Sequence, residues 1–207
     1  MQTDTEKPAP RPRGRPRSFE PQVVLDKVKA VFIEKGFEGA SLDDLAAAAG
    51  LNRPSLYAAF GDKEGLYVHM LRQTGERIGK TLDAALSQPG AIEERLTQVY
   101  EHAIQAYAAP PVRPGCVIVN TAAAAAPTHP AIGAAAREIR DAMEARFAQA
   151  FAECVRERLL PADPSPATRA KLATAILDTL AVRARLGADA SELRLLAKES
   201  IALVCSV

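Results

Sequence analysis

The chain has 207 residues, which allows one large domain or two small ones, and 48% of them are hydrophobic, as in an ordinary globular protein. Its formal net charge is +1, so the chain as a whole is not a polycation. It contains no uncharged apolar stretch of about 18 residues, and no apolar segment follows its basic N-terminus. We therefore expect no membrane span and no secretory signal, and we expect a cytoplasmic protein.

Residues 1–18 are polar and rich in proline, arginine and threonine, which predicts a disordered arm. The arm is basic and includes Arg13, Arg15 and Arg17. One interpretation is a solubilising tail. The other is an arm that reaches the phosphate backbone or minor groove of DNA, because a compact helical unit follows it directly.

The residues after the arm carry the signals of three helices in quick succession. A helix over 21–35 ends at a glycine, a second over 42–49 is capped by Ser41, and a short third over 53–59 is capped by Asn52. A glycine and an aspartate then end the short helix and begin another. This order is typical of a helix-turn-helix unit.

The rest of the chain also shows helical spacing of apolar residues, interrupted by proline- and glycine-rich breaks. The predicted fold is all-α with about nine helices, in which a long fourth helix joins the three-helix head (19–65) to a helical body (66–207). The segments predicted beyond the head are 63–86, 92–107, a short alanine-rich stretch after Cys116, 132–160, 167–186 and 191–205.

Three runs in the head, "KGFEGAS", "SLDDLAAAAG" and "LYAAFGDKEGL", carry a family resemblance. In order and spacing they resemble the DNA-binding head of the TetR family of one-component bacterial repressors, over residues 14–70. The body resembles the family in helix count and in "PGCVIVNTAAAA". The resemblance implies a repressor that binds an operator in double-stranded DNA as a homodimer. It also implies that the body binds a small effector and carries the dimer interface.

The short third helix carries the side chains expected to read DNA. Arg53 and Ser55 stand near its N-terminus, where a major-groove helix meets base edges, and arginine can bind guanine through two hydrogen bonds. Pro54 is tolerated in a first helical turn, where it stiffens the helix and can offer methylene groups to a thymine methyl. Ser41 opens a helix N-terminus, which is suited to a phosphate.

The resemblance adds two phosphate contacts and two buried residues. Tyr57 and Lys63 match the phosphate-binding positions of the family, whereas Leu56 and Phe60 match residues that pin the short helix to the head. From the residues alone, simple packing of Tyr57 and a solvated surface position for Lys63 stay open as alternatives.

The resemblance also implies that the last two helices pair with their mates. Two heads about one DNA turn apart would then read a palindrome. The apolar stripes of these helices suit that role, although they are equally compatible with an internal core. They comprise Leu172, Ile176, Leu180, Leu193, Leu196, Ile201 and Val204.

An effector cavity is implied among the middle helices. Its candidates are polar-tipped or aromatic residues on apolar stretches, and each also fits a core or surface position. Because no dense acidic or basic cluster marks the body, we expect a small, largely apolar effector. The candidates are Tyr100, His102, Tyr107, Cys116, Asn120, His129, Met143, Phe147 and Phe151.

Cys116 supports an alternative function for the protein, that of a redox or electrophile sensor. Its position predicts that it begins a helix, and the helix dipole would lower the pKa of its thiol. The other interpretation is a small buried residue. A helical enzyme is a weaker alternative, since the chain shows no phosphate loop, no metal-ligand spacing and no triad. We therefore expect no catalytic residue, cofactor or metal. A protein-docking head is disfavoured by the basic arm.

Overall fold

The structure is a computed structural model that describes residues 19–206. In this range the chain forms nine α-helices, one π-helical segment and no strand, which confirms the all-α prediction. The predicted basic arm, with Arg13, Arg15 and Arg17, lies outside the described residues. The helices are α1 (Pro21–Gly39), α2 (Leu42–Ala49), α3 (Arg53–Phe60), α4 (Lys63–Leu86), α5 (Ile92–Tyr107), α6 (Ala123–Ala125), α7 (Pro130–Arg156), α8 (Pro166–Arg185) and α9 (Ala190–Cys205), and the π-helical segment is Ile118–Ala122.

Helix α1 differs from its prediction at its C-terminal end. Gly36 was expected to end the helix, and its backbone does leave the helical region there, with φ 72° and ψ 177°. A non-glycine residue rarely adopts such a positive φ. One more helical turn follows the kink and carries the chain to Gly39. This extra turn directs Phe37 into the core of the head, where its side chain is buried.

An aromatic cluster ties the head to the start of α4. The Tyr67 ring meets Phe32 and Phe37 edge to face, with centroid distances of 4.7 and 5.1 Å. Burial raises the Tyr67 pKa to about 12, and its hydroxyl makes a short hydrogen bond with Thr121 of the π-helical segment. Helix α4 is therefore fixed to the head through its first turns and to the body through the same tyrosine.

The body is a bundle in which α7 packs against α4 and α8, while α9 packs against α5 and α8. The bounds of α8 and α9 agree with their predictions to within one residue. The prediction for α7 was wrong at its C-terminus, because the helix ends at Arg156 rather than near residue 160. Arg158, with φ 60°, turns the chain away there.

A buried arginine joins the ends of the last two helices. Arg169 is fully buried in the first turn of α8, and its guanidinium donates to the Pro164 and Val204 carbonyl oxygens. The second of these lies in the last turn of α9, where carbonyl groups lack helical partners. This contact holds the N-terminal end of α8 against the C-terminal end of α9.

The predicted stripes of α8 and α9 are divided between two environments. Leu180, Leu193, Ile201 and Val204 are buried inside the protomer, whereas Leu172 is exposed. Several further large apolar side chains of this region are exposed, and a groove runs along the same side of α8 and α9. We call these exposed residues the α8–α9 outer face: Leu172, Val182, Leu186, Leu195 and Leu203.

Two further features are absent from residues 19–206. None of the helices there is both long enough and apolar enough to cross a membrane. The same residues contain no group of three or more His, Cys, Asp or Glu side chains arranged to hold a metal ion.

Candidate nucleic-acid interface

Helix α2 begins at a complete capping box. The Ser41 hydroxyl accepts a hydrogen bond from the Asp44 backbone N–H at 3.1 Å, and the Asp44 carboxylate accepts one from the Ser41 N–H at 3.1 Å. These two bonds satisfy two of the amides that a helix start leaves without partners. Gly50 ends the helix in the left-handed conformation, with φ 68°. The turn that follows sets the angle at which α3 leaves α2.

Helix α3 is short because it is capped at both ends, and two buried side chains anchor it to the rest of the head. The Asn52 side chain accepts a 2.8 Å hydrogen bond from the Ser55 N–H, and Pro54 occupies the first turn, where its missing N–H costs nothing. Leu56 and Phe60 are buried against the rest of the head. Two turns of helix are thus held rigidly by a cap and two anchors.

The opposite side of α3 faces solvent. Arg53, Pro54 and Tyr57 are exposed, and Ser55 is half-buried. An exposed tyrosine next to an arginine on a rigid helix is well suited to hydrogen bonding with phosphates and base edges. The structure therefore brings four of the predicted DNA-binding residues onto one short exposed surface, which we call the α3 reading face: Arg53, Pro54, Ser55 and Tyr57.

The arginine of this face already has a carboxylate partner. The Arg53 Nε lies 2.5 Å from Asp43 Oδ1, and a second guanidinium nitrogen pairs with the other carboxylate oxygen. This hydrogen bond lowers the Asp43 pKa, so the pair is charged at neutral pH. Asp43 was not among the residues predicted from the sequence to belong to the site. Its ten-residue spacing to Arg53 across the turn was the signal that was missed.

A second cation close to this region is also neutralised within the head. Lys35 Nζ lies 2.7 Å from Asp44, and together with the capping hydrogen bonds this contact lowers the Asp44 pKa to about 2. Both acidic residues in the first turn of α2 are therefore engaged by basic side chains, which offsets the negative charge beside the reading face.

Lys63 lies at the first position of α4 and is half-buried. Its ammonium donates to the Glu38 carbonyl oxygen at 3.2 Å and stands 4.6 Å from the centroid of the Phe37 ring. Both contacts hold the lysine against the head rather than extended into solvent. Ser41 is exposed at the N-terminus of α2, and its hydroxyl is occupied by the capping box.

The candidate effector residues of the body lie in different environments. His102, Tyr107 and Met143 line one cavity of about 220 Å³, together with residues of α1, α4 and α8. Phe147 and Phe151 are fully buried core residues and do not line this cavity. Tyr100 is buried as well, and its hydroxyl donates to the Ala173 carbonyl oxygen at 3.2 Å.

Cys116 does not have the activated thiol that its helix-start position had suggested. Burial raises its pKa, and this outweighs the backbone N–H groups of Val119 and Ile118, which act in the opposite direction. The expectation of a lowered thiol pKa was therefore wrong, because the side chain is 8% exposed and its desolvation dominates. Asn120 lies away from the cavity and donates to the Pro114 carbonyl oxygen at 3.3 Å.

His129, the last candidate, lies at the junction of head and body. Its Nε2 is 2.9 Å from a carboxylate oxygen of Glu38, and its Nδ1 is 3.3 Å from one of Glu64. The ring also packs edge to face on Phe37, with the centroids 4.5 Å apart. This histidine contacts the end of α1 and the start of α4 and not an effector cavity of the middle helices.

The head geometry defines a helix-turn-helix DNA-binding protein, and comparison with known proteins specifies its family. Residues 24–70 match the family model described as bacterial regulatory proteins, tetR family. Residues 93–199 match that of the tetracyclin repressor-like C-terminal domain. The chain belongs to the TetR family of DNA-binding transcriptional regulators.

Individual relatives agree with this assignment. The chain is 28% identical over 206 residues to the HTH-type transcriptional repressor ComR of Escherichia coli (strain K12), covering 98% of this chain and 97% of that protein. It is 33% identical over 107 residues to the HTH-type transcriptional repressor BdcR of the same strain, covering 52% and 54% of the two chains.

A solved structure extends the comparison to a DNA complex. The TetR family transcriptional regulator CifR, as a cysteine mutant complexed with 26 bp double-strand operator DNA, is similar with a TM-score of 0.77 and 27% sequence identity. The match covers 91% of this chain and 98% of that one. Both the head and the body are therefore similar to those of a regulator solved on its operator.

Proposed function

We propose that this regulator is a repressor that binds a palindromic operator as a homodimer and is released by a small, largely apolar effector bound in its body. The head (19–65) reads DNA, and the remainder (66–207) binds effector and forms the dimer. The observation that carries the proposal is the division of α3, whose Leu56 and Phe60 are buried while Arg53 and Tyr57 are exposed.

In this proposal the reading face enters the major groove. Arg53 binds a guanine edge through two hydrogen bonds, Ser55 contacts a neighbouring base, and Pro54 touches a thymine methyl. Tyr57, Lys63 and the N-terminus of α2 at Ser41 hold phosphates on either side. The arginines of the arm, at positions 13, 15 and 17, follow the backbone towards the minor groove.

Binding requires Arg53 to exchange partners. In the DNA-free protein its guanidinium is paired with Asp43, so contact with a base edge replaces one hydrogen-bonded partner with another. The Asp43 carboxylate is then left unpaired beside the negatively charged DNA, which costs free energy. Only a DNA sequence that gives Arg53 two hydrogen bonds in return offsets this cost. This exchange favours discrimination between sequences over raw affinity.

The α8–α9 outer face supplies the dimer interface of the proposal. Leu186, directly after α8, is 82% exposed and Leu203 on α9 is 77% exposed, so this face presents large apolar side chains to solvent. A two-fold axis beside these helices would bury the same patch on both protomers. One head binds weakly because its contact area is small, so pairing two heads is what makes an operator site specific.

The effector acts through the cavity lined by His102, Tyr107 and Met143. Its walls come from α1 of the head as well as from α4, α5, α7 and α8 of the body, so a bound molecule contacts both parts. A ligand releases the protein from DNA if it binds the DNA-incompetent arrangement more tightly.

The test is to isolate genomic fragments bound by the protein and to measure affinity for them between 50 and 200 mM salt, by fluorescence anisotropy. The logarithm of the binding constant should fall linearly with the logarithm of salt, with a slope of about −0.9 per phosphate contact. Arg53→Ala should weaken binding, whereas Arg156→Ala, an exposed change on α7, should not. Absence of sequence preference, together with a flat salt response, would reject the proposal.

A further inference from the structure

Lys29 is a partly buried cation without a counter-ion in the described structure. It lies on α1 and lines the cavity that also contains His102 and Tyr107. Among residues 19–206 its ammonium has no salt-bridge partner and no hydrogen-bond acceptor. Burial lowers its pKa more than any neighbouring charge changes it. Such a group is costly unless a partner compensates for the lost water.

Asp26, whose charge acts on Lys29, is already paired with another basic side chain. Asp26, one turn earlier on α1, receives two hydrogen bonds from the Arg77 guanidinium, at 2.5 and 2.8 Å. This bidentate geometry is the strongest that a carboxylate forms with a basic side chain. Arg77 and Lys29 both line the cavity, and Arg77 is paired with Asp26, which does not line it.

The remaining polar neighbours cannot supply the missing charge. Burial raises the pKa of both the Cys116 thiol and the Tyr107 hydroxyl, so both are protonated and neutral at physiological pH. The other lining residues near Lys29 are mainly aliphatic, including Ile78, Leu82 and Val99. A neutral ligand in this cavity would remove more water from the Lys29 ammonium and bring no opposite charge to it.

We infer that the effector carries a single carboxylate at one end of an apolar body, and that the Lys29 ammonium binds this carboxylate. A carboxylate matches the single charge of the Lys29 ammonium, whereas a phosphate dianion would require more donors than Lys29 alone provides, because Arg77 is engaged. The volume of about 220 Å³ lies below the range of drug-sized pockets, so the molecule is small. This inference rests on the proposed function, since it names the chemical class of the proposed effector.

The position of Lys29 also explains how binding reaches the head. Lys29 belongs to α1, the first helix of the head, whereas Met143 and Leu177, which line the same cavity, belong to α7 and α8. A ligand whose carboxylate binds Lys29 and whose apolar part packs against the body links the head and the body rigidly. The arrangement of head and body that best satisfies both ends is the one that the ligand selects.

The experiment uses hexanoate, benzoate and phenylacetate, each with its neutral primary amide. Binding to the full-length, DNA-free protein is measured by isothermal titration calorimetry for wild type, Lys29→Gln and Lys27→Gln. Lys27 lies on the same helix and is exposed, so it is the matched control. At least one acid should bind about tenfold or more tightly than its amide, and Lys29→Gln should remove that preference while Lys27→Gln retains it.

The inference is overturned if none of the acids binds, if the amides bind as tightly, or if Lys29→Gln leaves the preference unchanged. Release of a fluorescent operator is measured on the same samples. Wild type that fails to bind the operator without ligand would refute the proposed function, and calorimetry would still report on the carboxylate site. Operator binding that survives while every acid fails would refute the inference alone.

Discussion

Arg53, the first residue of the reading helix, is held by Asp43, a first-turn residue of the helix before it. The pair is exposed, so it contributes little to folding stability, but it sets the state from which DNA binding begins. Arg53→Ala should weaken operator binding roughly 5- to 100-fold and relax preference at one base position. The measurement is anisotropy against the operator and a panel of single-base variants.

Asp43→Asn should strengthen DNA binding if Arg53 exchanges Asp43 for DNA when the protein binds. Freeing Arg53 and removing a negative charge should tighten binding to all duplexes by up to about fivefold and narrow the gap between operator and non-operator DNA. Asp141→Asn, an exposed change on α7, serves as the control. A variant whose affinity and discrimination both equal those of wild type would show that the ion pair has no part in recognition.

Lys63 is expected to exchange its contact with the Glu38 carbonyl oxygen for a phosphate on binding DNA. Lys63→Met should weaken binding to all sequences alike and reduce the magnitude of the salt slope by about one, because one phosphate contact is lost. Lys80→Met, exposed on the same helix, is the control. A changed base preference with an unchanged slope would assign Lys63 a different role.

The junction of head and body is expected to respond to pH through His129. Both of its ring nitrogens face carboxylates, of Glu38 and Glu64, so only the protonated ring can donate to both. The Glu38 hydrogen bond is the main cause of a raised His129 pKa. The stabilisation is therefore fully present below the unfolded value of about 6.5 and is lost as pH rises through the folded value.

Thermal unfolding from pH 5.5 to 8.5 tests this junction. The melting temperature of wild type should exceed that of His129→Asn most at the acid end, and the difference should shrink as pH rises. Glu38→Gln, which removes the closer carboxylate, should reduce the same difference. Parallel curves for wild type and His129→Asn would show that the contact does not couple protonation to folding.

The α8–α9 outer face leads to a prediction about assembly. Leu203→Glu should convert a dimer into a monomer, because it places a charge in an apolar patch. Operator affinity should fall at least about 100-fold, since the second head no longer binds with the first. Val112→Glu, an equally drastic change at an exposed loop residue, is the control. Sedimentation equilibrium that finds Leu203→Glu still dimeric would place the interface elsewhere.

The head was predictable from sequence because its determinants are local. Ser41, Asn52 and Asp62 each cap the helix that begins directly after them, and Gly50 ends the helix before it. Each of these signals acts within a few residues of the chain. The end of α1 was less predictable, because the turn beyond Gly36 depends on where Phe37 is buried.

Most helix bounds of the body were predictable, but its contacts were not, because they join residues that are distant in sequence. His129 and Glu38 are 91 residues apart, and no helical pattern indicates that they meet. Phe147 and Phe151 were candidates for ligand contact because they are aromatic, and only packing shows that they are core. Lys29 was overlooked because a lysine on a helix is ordinary until the counter-ions around it are known.

Selection of bound duplexes from a random DNA pool tests the central claim most directly. The proposal predicts a two-fold symmetric consensus with half-sites about 34–36 Å apart, or slightly more, which corresponds to one turn of DNA between two reading faces. Arg53→Ala should lose one position in each half-site and keep the symmetry. A pool that yields no consensus, or a single asymmetric site bound by one protomer, would contradict a homodimeric operator-binding repressor.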